Sequence, residues 1–254
     1  MIKLSVVIIT YNEEKNIERC LLSVKNIADE VLVVDSFSED KTKEICLKHG
    51  VKFIENKFIG HIEQKNFALK QTSFQYILSL DADEAVSSEL EKSILEVKNN
   101  WSNDCYKMNR LTNYCGSWIK HGSWYPDTKL RLAKKDLVVW GGDNPHDKLT
   151  PVKNSSPVHL KGDILHYSYY TIEEHILQQE KFSSIAAKAL FSRGKKAPAY
   201  KMVLNPLASV IKDIIIRHGY LDGAAGFKVA QISAKSVYWK YKKLRQLWKE
   251  SKSM

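Results

Sequence analysis

The chain has 254 residues, of which 44% are hydrophobic and 27% are charged, ordinary values for a soluble globular protein. No run of residues approaches the roughly 20 apolar positions of a membrane-spanning helix. The apolar stretch near the N-terminus, residues 4–9, is too short for the core of a signal peptide, so we expect a cytoplasmic protein. The four cysteines contain no C-x-x-C pair, so a zinc site is not suggested and we expect four reduced, mostly buried thiols.

The formal net charge of +10 is unevenly distributed. Residues 1–100 carry 13 Lys and Arg against 17 Asp and Glu, which excludes a polyanion-binding surface there. Residues 101–200 carry 15 against 9, and residues 201–254 carry 11 against 3. The basic character of the C-terminal part points to a separate interaction.

Strand and helix patterns alternate over the first hundred residues. Buried strands are predicted at residues 4–9, 31–34, 51–54 and 76–80. Helices are predicted to begin at Asn12 and Ser38, to run from His61 to Gln71, and to begin with a capping box of Ser88 and Glu91. This order predicts an α/β fold, a parallel sheet with helices on both of its faces.

The second half of the chain gives weaker patterns. Residues 104–166 are rich in Trp, Tyr and Gly and contain short strand-like runs, which suits a mixed extension of the sheet and acceptor-facing loops. Helices are predicted at residues 171–191, from Asn205-Pro206 onward, and at about residues 222–249.

Polar residues follow three of the predicted strands. They lie at the carboxyl ends of the strands, where parallel sheets bind their ligands. They are Thr10 to Glu13, Asp35-Ser36 and Asp81-Ala82-Asp83. No glycine-rich dinucleotide or P-loop motif is present, so a nucleotide site here would use side chains and a metal. Two carboxylates at i and i+2 after a strand could hold Mg²⁺ or Mn²⁺ against a nucleoside diphosphate, although D-x-D alone also occurs in solvated turns.

Three segments in this order carry a family resemblance: SVVIITYNEEKNIERCLLSV, DEVLVVDSFSEDKT and YILSLDADE. Residues 3–100 resemble family 2 glycosyltransferases. The later segments HGSWYPDTKLRL, WGGDNPHDKL and ILHYSYYTIEEH resemble a bacterial subgroup similar to lipopolysaccharide-core glucosyltransferases. That subgroup commonly has His-Glu where this chain has His146-Asp147.

The resemblance implies a GT-A fold: a mostly parallel Rossmann-like sheet flanked by helices, with a C-terminal helical extension. Residues 1–200 would form the transferase domain, with a nucleotide-sugar half at 1–100 and an acceptor half at 101–200. Residues 201–254 would form a basic amphipathic extension. The implied reaction is an inverting, metal-dependent sugar transfer from a UDP-sugar, UDP-glucose first, to a glycolipid or lipopolysaccharide-core acceptor.

The resemblance also implies roles for individual residues. Thr10, Tyr11 and Glu13 would line the nucleoside pocket, with Tyr11 near the base. Asp35 would accept a hydrogen bond from the pyrimidine, and Asp81 would lie near the ribose or the sugar. Glu13 could instead be an acid at a helix N-terminus, and Asp35 could cap the loop before Ser36.

Metal binding and proton transfer are assigned to three further residues. Asp83 would bind Mn²⁺ or Mg²⁺, and by analogy with other GT-A enzymes His166 could join it, unless it is a core histidine. Asp147 is the expected general base, because an inverting transfer needs a carboxylate to take the acceptor proton. Asp127 and Asp143 are its rivals.

Further side chains have two interpretations each. His146 would orient Asp147 or lie in an ordinary polar loop. Lys129 and Arg131 could reach phosphate, but we expect surface charge. The tryptophans could stack on sugar rings or pack in the core; they are Trp118, Trp124 and Trp140.

The last predicted helix has an apolar stripe and a lysine at every seventh position from Lys228 to Lys249. A basic amphipathic helix with Trp239 and Trp248 is typical of a helix that lies on a membrane surface. The alternative is a helix that packs on its own domain. Contact with the inner membrane surface would suit a lipid-linked acceptor.

Two other function classes stay open at this point. Haloacid-dehalogenase-type phosphatases also use D-x-D, but after their first strand, whereas here it follows the fourth. A non-catalytic module would bind a sugar nucleotide or a membrane without turnover. No nucleic-acid-binding motif is recognised, so we expect no nucleic-acid partner.

Overall fold

A computed structural model describes residues 1–143, 146–153 and 155–253, with the backbone alone at residues 143, 146, 252 and 253. The chain forms two compact units. Unit 1 contains Met1–Arg110 and Asp127–Tyr167, and unit 2 contains Leu111–Pro126 and Ser168–Met254. The boundary predicted at residue 200 falls inside unit 2 and stays a prediction.

Eleven strands and seven α-helices are found in the part of the chain that the structure describes. The strands are β1 (Leu4–Thr10), β2 (Glu30–Asp35), β3 (Lys52–Glu55), β4 (Tyr76–Asp81), β5 (Glu84–Val86), β6 (Cys105–Tyr114), β7 (Ser117–Ile119), β8 (Asp127–Lys134), β9 (Val138–Asp143), β10 (His146–Pro151) and β11 (Val158–Tyr169). The helices are α1 (Ile17–Val24), α2 (Thr42–Lys48), α3 (His61–Lys70), α4 (Ser88–Asn99), α5 (Ile172–Ser192), α6 (Lys201–Ile211) and α7 (Gly223–Ser253).

The predicted α/β sheet forms the centre of unit 1. Its strand order is β3-β2-β1-β4-β8-β6-β11-β5. The first four strands are parallel, as the alternating strand and helix patterns predict. β8 then pairs antiparallel with β4 and β6, and β9 and β10 form a separate antiparallel pair.

Strand β1 shows why the sheet forms here. Its sequence, LSVVIIT, is apolar at almost every position, so both faces of the strand can be covered. Val6 and Ile8 belong to a core cluster that includes α1 and α4, while Val7 belongs to a second cluster that includes Ala68 of α3 and Trp140 of β9.

The helix after β1 begins later than predicted. Asn12 is not its N-cap: Asn12 has a left-handed backbone with φ of 54°, and Asn16 directly precedes the helix. The side-chain oxygen of Asn12 accepts a hydrogen bond from the backbone of Glu39, while its own N–H donates to the hydroxyl of Ser38. These two bonds tie the loop after β1 to the loop after β2.

The predicted helix start at Ser38 and the predicted capping residue Ser88 were also wrong, although α4 does begin at Ser88. Ser38 lies in that loop, and α2 begins only at Thr42. The helix predicted from Ser88 has Ser87 as its N-cap, whose hydroxyl accepts from the N–H of Leu90. Both errors come from choosing among neighbouring serines and acids, which have similar preferences for the N-cap position.

Unit 2 contains the three C-terminal helices. A capping box of Thr171 and Glu174 starts α5, close to the predicted residue. α6 begins at Lys201, so Pro206 lies inside the helix and does not start it. No helix of the described residues is both long and apolar enough to cross a bilayer.

The apolar stripe of α7 is largely used inside unit 2. Ala230, Ala234 and Leu244 are buried, and Leu244 lies in a core cluster with Ala187 of α5. The indole N–H of Trp248 donates to the carbonyl of Lys195. For these residues the structure supports the alternative in which the helix packs on its own domain.

Candidate active site

The three predicted polar motifs meet at one edge of the sheet. Thr10 at the end of β1 pairs in register with Asp35 at the end of β2, and Ile9 pairs with Asp81 at the end of β4. Because β1 lies between the other two strands, the carboxyl ends of all three are adjacent. The site is therefore where an open parallel sheet binds ligands.

The residues after β1 differ in their exposure. Thr10 is buried, and its hydroxyl has no hydrogen-bond partner among the described residues. The ring of Tyr11 is 55% exposed. Glu13 is half-buried and accepts a hydrogen bond from the side chain of Asn16. Burial, aided by the charge of Asp83, raises the pKa of Glu13 to about 7.

Asp35 is completely buried. One of its carboxylate oxygens accepts from the backbone N–H of Ser38 at 2.7 Å and the other from the Ser38 hydroxyl at 2.5 Å. The aspartate thus holds the loop after β2. Its predicted bond to a pyrimidine ring stays a prediction, and it would require a carboxylate oxygen to accept a second hydrogen bond.

Lys65 of α3 joins two of the predicted carboxylates. Its ammonium lies 2.8 Å from Asp81 and 2.8 Å from Asp147 of β10, and it is buried over the ring of Trp140. Asp147 is thus brought to the end of β4 from a distant part of the chain. Such a bridge balances two carboxylates with one cation.

A second cation reaches Asp81 from β8. Arg131 donates from Nη2 to Asp81 at 3.1 Å and to Glu84 at 3.0 Å. Burial alone would raise the pKa of Asp81, but Lys65 and Arg131 together hold it well below its usual range. Asp81 is therefore ionised at any physiological pH.

Glu84 extends the network beneath the surface. It is fully buried, accepts from the backbone N–H of Asp81, and pairs with both Arg110 and Arg131. Arg110 in turn pairs with Asp127 at 2.8 Å. This chain of alternating charges fixes the backbone that carries the Asp-Ala-Asp motif.

Asp83 and His166, the two predicted metal ligands, lie in contact, and their role as ligands stays a prediction. The Nε2 of His166 lies 3.1 Å from a carboxylate oxygen of Asp83, and both side chains are partly exposed. The carbonyl of Asp83 also accepts from the N–H of Tyr167. No group of three or more His, Cys, Asp or Glu among the described residues is arranged to hold a metal ion.

The model of glycosyl transferase family 2 matches residues 5–150, more than half of the chain. The chain belongs to this family. An uncharacterized glycosyltransferase of Rickettsia typhi is 32% identical over 265 aligned positions, covering 100% of this chain and 90% of the relative. The lipopolysaccharide core biosynthesis glycosyltransferase LpsC of Rhizobium meliloti is 25% identical, covering 94% and 93%.

Solved structures are also similar to this chain. A crystal structure of S. aureus TarS, residues 1–349, covers 94% of this chain and 91% of its own, with 17% identity and a TM-score of 0.48. The predicted α/β fold class, with a C-terminal helical extension formed by α5–α7, is confirmed. The sheet is mixed and not mostly parallel: β1–β4 are parallel, and β8 continues the sheet antiparallel. As a glycosyltransferase, the protein is an enzyme that uses a nucleotide-sugar donor and a saccharide acceptor.

The family assignment decides between the function classes left open. The Asp-Ala-Asp motif follows the fourth strand, and the family is one of glycosyltransferases, so phosphotransfer is not its reaction. The non-catalytic alternative is set aside because the relatives are themselves named glycosyltransferases.

Arg131, Lys129 and Trp140 each had two interpretations from the sequence, and the structure favours one for each. Arg131 is not a surface charge, as it is 3% exposed and part of the carboxylate network. Lys129 is partly exposed and pairs with Asp127. Trp140 lies in the core beneath Lys65, which supports the packing interpretation for this tryptophan.

The other predictions concern residues near Asp147 and in unit 2. The side chains of His146 and Asp143 lie outside the described residues. Trp124 belongs to an aromatic cluster of unit 2 with Tyr114, Tyr169 and His175. That placement also fits packing better than sugar stacking.

Sequence reasoning missed Lys65 and Glu84 as site residues. Lys65 looks like any other lysine of a polar helix, and nothing in its spacing points to the sheet. Glu84 directly follows the Asp-Ala-Asp motif but resembles a turn acid. The clearest available signal was Arg131, a charged residue between two leucines of a strand-like run.

Proposed function

We propose that the protein is an inverting, metal-dependent transferase that moves glucose from UDP-glucose to a glycolipid or lipopolysaccharide-core acceptor. The observation that carries the proposal is the Asp83–His166 pair beside the ionised Asp81, at the ends of β1, β2 and β4. The acceptor class is supported by similarity to LpsC along nearly the whole chain.

The donor atoms present fit a divalent cation. A carboxylate oxygen of Asp83 and the imidazole nitrogen of His166 suit Mn²⁺, and Mg²⁺ is commonly held by one or two carboxylates together with substrate phosphates. Two protein ligands are therefore sufficient to hold the ion if the oxygens of a diphosphate supply further ligands. When bound, the ion would neutralise the charge that develops on the departing UDP.

Asp81 is proposed to orient the donor. Its carboxylate is ionised and held by Lys65 and Arg131, so it can accept a hydrogen bond from a ribose or sugar hydroxyl without moving. Fixed charges of this kind stabilise a bound geometry at little reorganisation cost. Because both of its oxygens already have cationic partners, Asp81 is a weaker candidate for the metal than Asp83.

The nucleoside is proposed to lie over the residues after β1. The exposed ring of Tyr11 is available to stack on the base, and the buried hydroxyl of Thr10 needs a partner. With a pKa raised to about 7, Glu13 is mostly protonated below that pH and can then donate a hydrogen bond. Asp35 would complete the pocket from β2.

Asp147 is proposed to act as general base. The ammonium of Lys65 lies 2.8 Å from Asp147 and holds its carboxylate beside Asp81, at the end of β4. The acceptor oxygen attacks the anomeric carbon, its proton passes to Asp147, and the bond to the phosphate oxygen breaks with its electron pair leaving on UDP. Attack from the face opposite UDP inverts the anomeric configuration.

Peripheral contact with the inner membrane surface is proposed for the basic segment of residues 201–254. Its 11 Lys and Arg against 3 Asp and Glu favour anionic lipid headgroups. A glycolipid acceptor would be presented at such a surface.

The test measures UDP release from a panel of UDP-sugars with Mn²⁺, with and without lipopolysaccharide-core acceptors. Asp83→Ala is compared with Asp136→Ala, an exposed carboxylate in the turn before β9. We expect turnover with one donor, lost at least about 100-fold in Asp83→Ala and retained in Asp136→Ala. Equal activity of the two variants, or activity unaffected by chelation, would reject metal dependence through Asp83.

A further inference from the structure

Helix α6 is apolar but is not covered by the rest of unit 2. Its sequence, KMVLNPLASVI, contains one charged residue, and none of its 11 residues is buried. The helix packs along α7, yet Val203, Leu204 and Leu207 are each more than half exposed. A soluble helix normally buries its apolar side, so this arrangement calls for a partner.

The exposed residues form one continuous face. Tyr200, Leu204, Leu207, Ile211 and Ile215 recur at intervals of three and four residues, which places them along one side of the helix and of the π-helical turn that follows it. Three further exposed apolar residues come directly after them: Ile216, Tyr220 and Leu221. We call these eight residues the α6 face.

Positive charge flanks the α6 face. Six basic residues occur between positions 193 and 217: Arg193, Lys195, Lys196, Lys201, Lys212 and Arg217. The one acid in this range, Asp213, is buried and accepts a hydrogen bond from Ser123. The segment that carries the apolar residues is therefore basic and has no exposed carboxylate between positions 193 and 217.

We propose that the α6 face inserts into the headgroup and upper acyl region of an anionic bilayer. Apolar residues on one side and Lys and Arg around them are the features of a helix that lies in the membrane interface. This proposal rests on the proposed function, in which the acceptor is linked to a lipid. It identifies α6 as the element that enters the membrane. The basic stretch of α7 would add attraction at longer range.

A second copy of this chain fits the α6 face less well. A symmetric contact would place the same surface on both partners, so the six basic residues of one copy would approach those of the other. Without exposed acids in this range, those charges would repel each other. Anionic lipid headgroups supply the complementary charge instead.

The experiment is co-sedimentation of the full chain with vesicles of phosphatidylglycerol and phosphatidylethanolamine, and with vesicles of phosphatidylcholine. The double variant L204S/L207S is compared with L22S/L47S in unit 1. The four leucines are 54%, 55%, 55% and 56% exposed, in the order Leu204, Leu207, Leu22 and Leu47, so the two variants remove equal apolar surface. UDP release with a soluble acceptor sugar is measured on the same samples.

We expect the partition of L204S/L207S into anionic vesicles to fall at least about tenfold, and that of L22S/L47S to equal the wild type. Binding to phosphatidylcholine should be weaker for all chains. At about 0.5 M salt, part of the wild-type binding should persist, since apolar insertion is not screened.

Three results would overturn the proposal. The first is equal partition of the two variants. The second is loss of all binding at high salt, which would mean that charge alone holds the protein. The third is a wild-type dimer in solution that L204S/L207S abolishes while vesicle binding is unchanged. Failure of the transferase proposal is seen separately, as absent UDP release whatever the vesicle result.

Discussion

Replacing Lys65 with methionine removes the ammonium that joins Asp81 to Asp147 and lies over the ring of Trp140, while keeping a side chain of similar length. Two carboxylates then share the end of β4 with Arg131 as a neighbouring cation. Asp81 keeps its contact with Arg131 at 3.1 Å, whereas Asp147 loses its partner at 2.8 Å. The loss of stability should therefore come mainly from Asp147.

The size of the loss in the free energy of unfolding follows from the burial of the ion pair. Breaking a buried ion pair by removing one partner typically costs about 3–5 kcal/mol, because a charge is left without compensation. The Asp147 side chain is 11% exposed and that of Asp81 is 26% exposed, so water reaches both in part. We expect Lys65→Met to lower the free energy of unfolding by about 3 kcal/mol at pH 7. The exposed pair of Lys43 and Glu55 gives the control: Lys43→Met should cost less than about 1 kcal/mol.

Urea unfolding at pH 7 and pH 4.5 measures the effect. In Lys65→Met, Asp147 is left without its cationic partner, and acid removes that uncompensated charge. In the wild type, the lowered pKa of Asp81 contributes stability that is lost as the pH falls. The deficit of the variant should thus shrink on acidification.

A second variant isolates the charge. Lys65→Met/Asp147→Asn should be more stable than Lys65→Met alone, because the uncompensated carboxylate is gone. A deficit at pH 7 that is independent of pH, or no recovery in the double variant, would show that the bridge does not balance these charges.

Three further predictions concern stability and rate. Glu13→Gln should be about 1–3 kcal/mol more stable than the wild type at pH 8 but equal to it near pH 4.5, as measured by urea unfolding. The reason is that the raised pKa of Glu13 makes the stability of the wild type fall as the pH rises from about 4.5 to 7. A stability difference that does not change with pH would contradict this. Asp147→Asn should lower kcat about 10²–10⁴-fold while calorimetric UDP binding is unchanged, and a near-normal kcat would rule out Asp147 as the base. Gly162→Ala should cost several kcal/mol in thermal unfolding, because a Cβ there would lie 2.2 Å from the backbone nitrogen of Leu90. The control is Gly50→Ala: Gly50 has the same left-handed backbone, but a Cβ there would meet no atom within 4 Å. Equal stability of the two variants would refute the steric argument.

The parallel part of the sheet could be predicted because it depends on local patterns. Continuous β-branched runs such as residues 4–9 are buried on both faces in any arrangement, and the strand-helix alternation leaves one natural topology. The start of a helix was harder to place. Asn12 and Asn16 have the same capping chemistry, and the choice between them was made by the bonds of Asn12 to Ser38 and Glu39 across the next loop.

The Asp-Ala-Asp motif and its position after the fourth strand were determined by the sequence itself, because the period of the strand and the chemistry of the carboxylates are local properties. The pairing of Asp83 with His166 could be expected only as an analogy. The bridge from Asp81 through Lys65 to Asp147 was decided by the tertiary structure alone, since it joins α3, β4 and β10, whose separation along the chain carries no information about their distance in space.

The same division applies to the C-terminal helices. Composition determined that residues 201–254 are basic, and the spacing of apolar residues predicted an amphipathic last helix. α6, by contrast, contains a single charged residue. Which apolar face would be covered could not be read from either helix, because burial depends on the partner that each helix meets. Packing of α7 against α5 covers much of the α7 stripe, and the α6 face is left exposed to solvent.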